Sequence, residues 1–231
     1  MGAMLHQVLA ARLRTEPVAP LVTCYGREPH ERSEFSARSL INWIDKTANL
    51  IVDEFDLEAG DQIALPVLAE HPHHWMAWVW ALAAWRSGMT VRTDALDGAD
   101  LVVGGPTVSA GDVPTLACSL HPLGMPLTEV GAGVIDYVAE VRSQPDAWLG
   151  MDPDADAELW AGAPWDGATW DELNADVTPD PERALIQPTA PEGAMRALLQ
   201  ALPLGSVVAV PTTWADADVE RIAATEKATR R

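Results

Sequence analysis

The stretch from Ala184 to Val210 reads Ala-Leu-Ile-Gln-Pro-Thr-Ala-Pro-Glu-Gly-Ala-Met-Arg-Ala-Leu-Leu-Gln-Ala-Leu-Pro-Leu-Gly-Ser-Val-Val-Ala-Val. It divides into a strand over Ala184 to Gln187, a helix from about Ala190 to Leu202, and a clear strand over Ser206 to Val210. A strand, a helix of more than ten residues and a second strand form the unit from which parallel sheets are built.

The same alternation runs outward in both directions. Downstream, Asp216 to Thr229 reads as a final helix. Upstream, Met1 to Thr15 is an amphipathic helix with Leu5, Val8, Leu9 and Leu13 on one face. Pro20 to Tyr25 is a strand closed by Gly26, followed by a short strand near Arg32 to Phe35. Ser36 then caps a helix whose apolar positions Leu40, Trp43, Ile44, Thr47, Ile51 and Phe55 fall at helical spacing. Gln62 to Leu68 reads as a buried strand, against which the internal Pro66 is a warning. A long helix over Pro72 to Ser87 presents Trp75, Met76, Val79, Trp80 and Ala83 and ends at Gly88. Short strands follow at Thr90 to Arg92, Asp100 to Val103 and Leu116 to Leu120, then a helix at Val134 to Arg142. The whole, residues 1–231, reads as one α/β domain with a largely parallel sheet flanked by helices.

Residues 143–182 stand apart. They carry eleven acidic residues and no lysine or arginine, together with Trp148, Trp160, Trp165 and Trp170. So many aromatics do not suit a linker, and the stretch reads as a loop-rich or partly helical surface region. Ten tryptophans against two Phe and two Tyr fill core positions or, alternatively, form an exposed surface for a protein partner or a second copy of the chain. The formal charge of −19 speaks against nucleic acid and anionic membranes as partners. No apolar run is long enough for a membrane span, and nothing resembles a secretory signal. A cytoplasmic protein is expected. Cys24 and Cys118 lie in apolar runs and read as buried small residues.

Three stretches carry a family resemblance. Phe35 to Ile51 is similar to the strand-then-helix beginning of adenylate-forming (AMP-binding, acyl-CoA synthetase-like) enzymes. Gly60-Asp61-Gln62-Ile63-Ala64-Leu65 resembles their Gly-Asp-x-Val-Ala-Leu strand, with Ala81 to Gly88 matching the Ala/Gly turn after the next helix. Leu198 to Val210 resembles their Leu-x-x-Gly-x-x-Val-Val segment, and Asp218 to Thr229 the helix that follows. The sequence is thus similar to the N-terminal part of that superfamily. Within it, it most resembles an uncharacterised actinobacterial family with distant similarity to AMP-binding enzymes.

That resemblance implies the superfamily's N-terminal α/β subdomain and, as chemistry, ATP-dependent conversion of a carboxylate to an acyl-adenylate. The family holds the triphosphate in a Ser/Thr/Gly-rich loop ending in Pro-Lys-Gly. The matching place here is Pro188-Thr189-Ala190-Pro191-Glu192-Gly193, where only Thr189 and Gly193 keep the pattern. Two prolines remove N–H donors that would cradle phosphate. No lysine occurs between Lys46 and Lys227. Thr189 and Glu192 read as a capping box, which puts a carboxylate where an anion would bind. The family's adenine, magnesium, ribose and catalytic-lysine positions lie beyond Arg231, so no residue here is assigned to them. The expectation is therefore a diverged, non-catalytic binding or interaction module without a cofactor. Its rival is a degenerate relative that still takes a nucleotide or acyl ligand, with Thr189 and Gly193 as the remnant of the phosphate loop.

Two other constellations are weaker. His71 and His74 are three apart and form a possible metal pair, completed only if Glu70, His121 or His30 comes near. Asp152-Pro153-Asp154-Ala155-Asp156 resembles the start of a calcium loop but lacks its glycine and its final glutamate. Gly131-Ala132-Gly133 reads as a loop.

Overall fold

A computed structural model describes residues 3–231; the first two residues of the expected N-terminal helix lie outside them. The elements are α1 (Leu5–Thr15), β1 (Pro20–Tyr25), β2 (Arg32–Ser36), α2 (Ala37–Phe55), β3 (Gln62–Ala64), α3 (Pro66–Glu70), α4 (Trp75–Arg86), β4 (Thr90–Arg92), β5 (Leu101–Gly104), β6 (Thr115–Ala117), β7 (Ile135–Asp136), α5 (Tyr137–Val141), β8 (Trp160–Ala161), α6 (Trp170–Asn174), β9 (Arg183–Ile186), α7 (Pro191–Ala201), β10 (Ser206–Ala209), α8 (Asp216–Glu226) and β11 (Thr229–Arg230).

The strands form two sheets rather than one. The first has the order β11-β9-β10-β1-β2 and the second β7-β6-β5-β3-β4-β8. Every pairing is parallel except β1 with β2. The β9–α7–β10 unit pairs in parallel from Arg183 opposite Ser206 to Ile186 opposite Ala209. One continuous apolar core draws residues from both sheets.

At its centre lies α4. All residues from Trp75 to Trp85 are buried, so the helix is apolar all round and not on one broad face as its spacing suggests. Full burial of Met76, Val79 and Leu82 contributes roughly 1.5–3 kcal/mol each. The helix ends in a Schellman motif. Met89 N–H donates to the Ala84 carbonyl at 2.8 Å and Gly88 N–H to the Trp85 carbonyl at 3.3 Å. Gly88 takes φ +79, the left-handed conformation that glycine adopts without steric cost.

Several boundaries differ from the sequence reading. The strand expected over Gln62 to Leu68 stops at Ala64, because Pro66 takes the first position of α3, where its missing N–H costs nothing. The helix expected from Pro72 starts at Trp75 with His74 as its N-cap. The helix expected at Val134 is shortened by β7, and Asp136 caps α5 through its side chain. The final helix ends at Glu226. Lys227 turns left-handed at φ 53 and Thr229–Arg230 becomes an edge strand on β9.

Residues 143–182 are not only surface. Leu159, Trp160, Trp170 and Leu173 enter the main core, and Trp160 lies opposite Val91 as β8 pairs with β4. None of the ten tryptophans is exposed, so the exposed aromatic surface is not formed. Cys24 and Cys118 are both buried. No helix among the described residues is long and apolar enough to cross a membrane.

Candidate functional site

A cleft of about 600 Å³ opens where the two sheets point their strand ends at each other. Gly26 and Arg27 follow β1, Pro188 and Thr189 follow β9, and Pro211 to Thr213 follow β10. From the second sheet come Ala69 to His74, which run from the end of α3 into the loop behind β3, Pro106 after β5, and Leu120 and Pro122 after β6. All are at the carboxyl ends of parallel strands, where open α/β sheets leave a crevice for ligands.

Of the two residues read as a phosphate-loop remnant, Thr189 is exposed on the cleft rim. Gly193 sits exposed in the first turn of α7 and does not line the cleft. The capping box expected of Thr189 and Glu192 is not formed. Ala190 is the N-cap, extended at φ −150 and ψ 157, and no side chain caps the helix. Pro191 is the cause. It disfavours helical geometry in the residue before it, so the helix cannot begin earlier. Glu192 still lies in the first turn, where its carboxylate opposes a bound anion.

The two lysines lie elsewhere. Lys46 is held by Asp146 at 2.8 Å and by the Gln144 carbonyl. Lys227 is at the end of α8 and does not line the cleft.

His71 and His74 do not act as a pair. His74 is buried and both ring nitrogens are in use. Nδ1 accepts the Met76 N–H at 3.2 Å, and Nε2 lies 3.1 Å from the Leu120 carbonyl, to which it donates. Burial, and then the neighbouring His73 and His71, lower its pKa to about 3. A neutral ring bonded at both nitrogens has no lone pair for a metal. His71 closes α3 and stays half-exposed, its Nε2 4.0 Å from Glu70 Oε2. Burial lowers its pKa, with Glu70 pulling the other way. His73 lies across from His71 with ring centroids 6.4 Å apart, and burial and then His71 lower its pKa to about 4. At neutral pH the three imidazoles are therefore uncharged.

Among the described residues no group of three or more His, Cys, Asp or Glu is placed to hold a metal. Asp152, the first acidic residue of the calcium-like stretch, pairs instead with Arg86 and lies 3.8 Å from His6.

Arg27, Glu31, His73, Thr212 and Thr213 line the cleft without having stood out as site residues in the sequence. The available signal was positional, since Arg27, Thr212 and Thr213 each follow a predicted strand by a few residues. His73 stands in the histidine cluster with His71 and His74, whereas nothing in the local pattern of Glu31 marked it.

No family model matches the chain. The sequence is 36% identical over 151 residues to a TIGR03089 family protein of Mycobacterium tuberculosis, a match that takes in 60% of this chain and 59% of the relative. The fold is that of the N-terminal parts of acyl-CoA synthetases. The N-terminal domain of FACL13 from Mycobacterium tuberculosis superposes with a TM-score of 0.71 at 13% identity, covering 98% of this chain and 62% of that one. The Brucella canis acyl-CoA synthetase gives 0.69 at 18% identity, covering 99% of this chain and 47% of that one. A Mycobacterium tuberculosis fatty acyl CoA synthetase gives 0.68 at 13%, covering 97% and 48%. The chain therefore spans about half the length of these synthetases and 59% of the curated relative.

Proposed function

We propose that this chain is a non-catalytic binding module. On this reading it keeps the scaffold seen in the N-terminal parts of acyl-CoA synthetases and uses the cleft between its sheets to hold a ligand without adenylating it. The β9–α7 connection carries the reading. A loop that cradles phosphates needs consecutive backbone N–H donors and a cation. Here Pro188 and Pro191 provide no N–H, Glu192 places a carboxylate in the first turn, and no lysine lines the cleft. Calorimetric titration with Mg-ATP, AMP and an acyl-CoA tests it. The expected result is no heat from Mg-ATP at micromolar concentrations, and micromolar binding of Mg-ATP overturns the reading.

A second reading, a degenerate relative that still takes a nucleotide or acyl group, is favoured by the cleft itself, which remains open at the strand ends. Micromolar binding of AMP or acyl-CoA supports this alternative. Absence of binding by all three ligands removes it.

A further inference from the structure

The donor side chains of the cleft lining are Arg27, Thr189, Thr212 and Thr213, which follow β1, β9 and β10 on the side of the first sheet. Pro72, Pro106, Pro122, Pro188 and Pro211 are among its lining residues and contribute no N–H. Two first-turn N–H groups of α4, which would otherwise favour an anion, are occupied. Met76 N–H donates to His74 Nδ1 at 3.2 Å, and Ala77 N–H donates to the His74 carbonyl at 3.1 Å.

Acceptors are present on the wall formed by the end of α3 and the residues after it. Glu70 is two-thirds exposed. Among the described residues no lysine or arginine pairs with it. His71 and His73 are kept neutral by burial, so each offers a lone pair. Arg27 is the one permanent cation of the lining and lies exposed at the rim. The surrounding charge of −19 raises the local concentration of cations and repels anions.

We propose that this wall takes a small organic cation, an alkylammonium group, with Glu70 as its counter-charge and the imidazoles of His71 and His73 as acceptors. A cleft of about 600 Å³ is far larger than a metal ion needs, and the described residues form no metal cluster. The proline rings and Leu120 supply apolar surface for the carbon body of such a ligand. The inference rests on the cleft being the ligand site of the binding module.

The probe is n-butylamine, titrated at pH 7.5 in about 150 mM NaCl, where salt screens surface charge beyond about 8 Å. Binding is followed by the NMR shifts of the His71 and His73 rings. Saturable shifts in the millimolar range are expected for so small a ligand. Glu70→Gln weakens binding by about tenfold or more, the loss expected for one charge-assisted hydrogen bond. Asp154→Asn makes the same change in net charge outside the cleft and leaves the affinity unchanged.

Equal weakening by both variants, equally tight binding of n-butanol, or no saturable shift overturns the proposal. So does tighter binding of Zn²⁺ that His73→Ala abolishes, which would assign the wall to a metal. Mg-ATP in the same assay separates the two levels. Failure of the amine alone sinks this inference, whereas binding of Mg-ATP sinks the non-catalytic reading beneath it.

Discussion

His74 shows how one residue holds the cleft floor in shape. Its Nδ1 caps α4 and its Nε2 ties that helix to the loop after β6. Replacement by alanine removes the cap and leaves a partly buried Leu120 carbonyl unpaired, at a cost of about 2 kcal/mol in denaturant unfolding. The ring stays neutral in the fold down to about pH 3, against an ordinary value of 6.5. Protonation below 6.5 therefore favours the unfolded chain, so stability is full above pH 6.5 and declines as pH falls toward 3. His74→Asn keeps a capping side chain and is expected to flatten that decline, measured by urea unfolding across the range. The cap could have been read locally, but the Leu120 partner lies 46 residues away and no spacing rule points to it. Pro191 is the opposite case. Its control over Ala190 follows from neighbouring residues alone, and giving Thr189 the capping role overlooked it.

Among the elements, α2 acts as a post to which the acidic stretch is strapped. The Asn49 amide donates to the Pro145 and Ala147 carbonyls at 3.2 and 2.9 Å and accepts the Leu149 N–H at 3.2 Å. Lys46 and Gln144 add bonds along the same helix. Asn49→Ala leaves these backbone groups unpaired. The expected cost is roughly 2–3 kcal/mol, with faster proteolysis in residues 144–152 and unchanged shifts at the His71 and His73 rings. Boundaries were least legible where one residue type serves two roles. Pro66 was an obstacle to a strand and became the first residue of α3, and the apolar run around it looks alike in either element. The two-residue strand β11 has no periodicity to read and exists because β9 offers an unpaired edge.

Across the whole molecule, Glu226 joins parts that are far apart in sequence. It accepts from Tyr25 Oη at 2.6 Å, Arg32 Nε at 2.7 Å and Arg183 Nη2 at 2.6 Å, so α8 is bound to β1, β2 and β9. Burial would raise its pKa, but the hydrogen bonds from Arg32, Tyr25 and Arg183 outweigh that and hold the carboxyl at about 2, below its ordinary 4.5. The stability it contributes is complete above pH 4.5 and is lost as pH falls toward 2. Glu226→Gln is expected to lower stability at pH 7 and to remove this part of the acid transition, as thermal unfolding between pH 2 and 7 would show.

The alternation of strands and helices, the parallel β9–α7–β10 unit, and a β9–α7 connection with two prolines and no lysine were all legible along the chain. These follow from local periodicity, from proline's missing N–H and from the lack of lysine between Lys46 and Lys227. The division of the strands between two sheets and the inward turn of the tryptophans emerged from the three-dimensional packing alone. Only that packing occupied both nitrogens of His74 and left Glu70, His71 and His73 on the wall of one cleft. Those outcomes depend on which distant groups reach one another once the apolar surfaces are buried, and no short-range pattern encodes them.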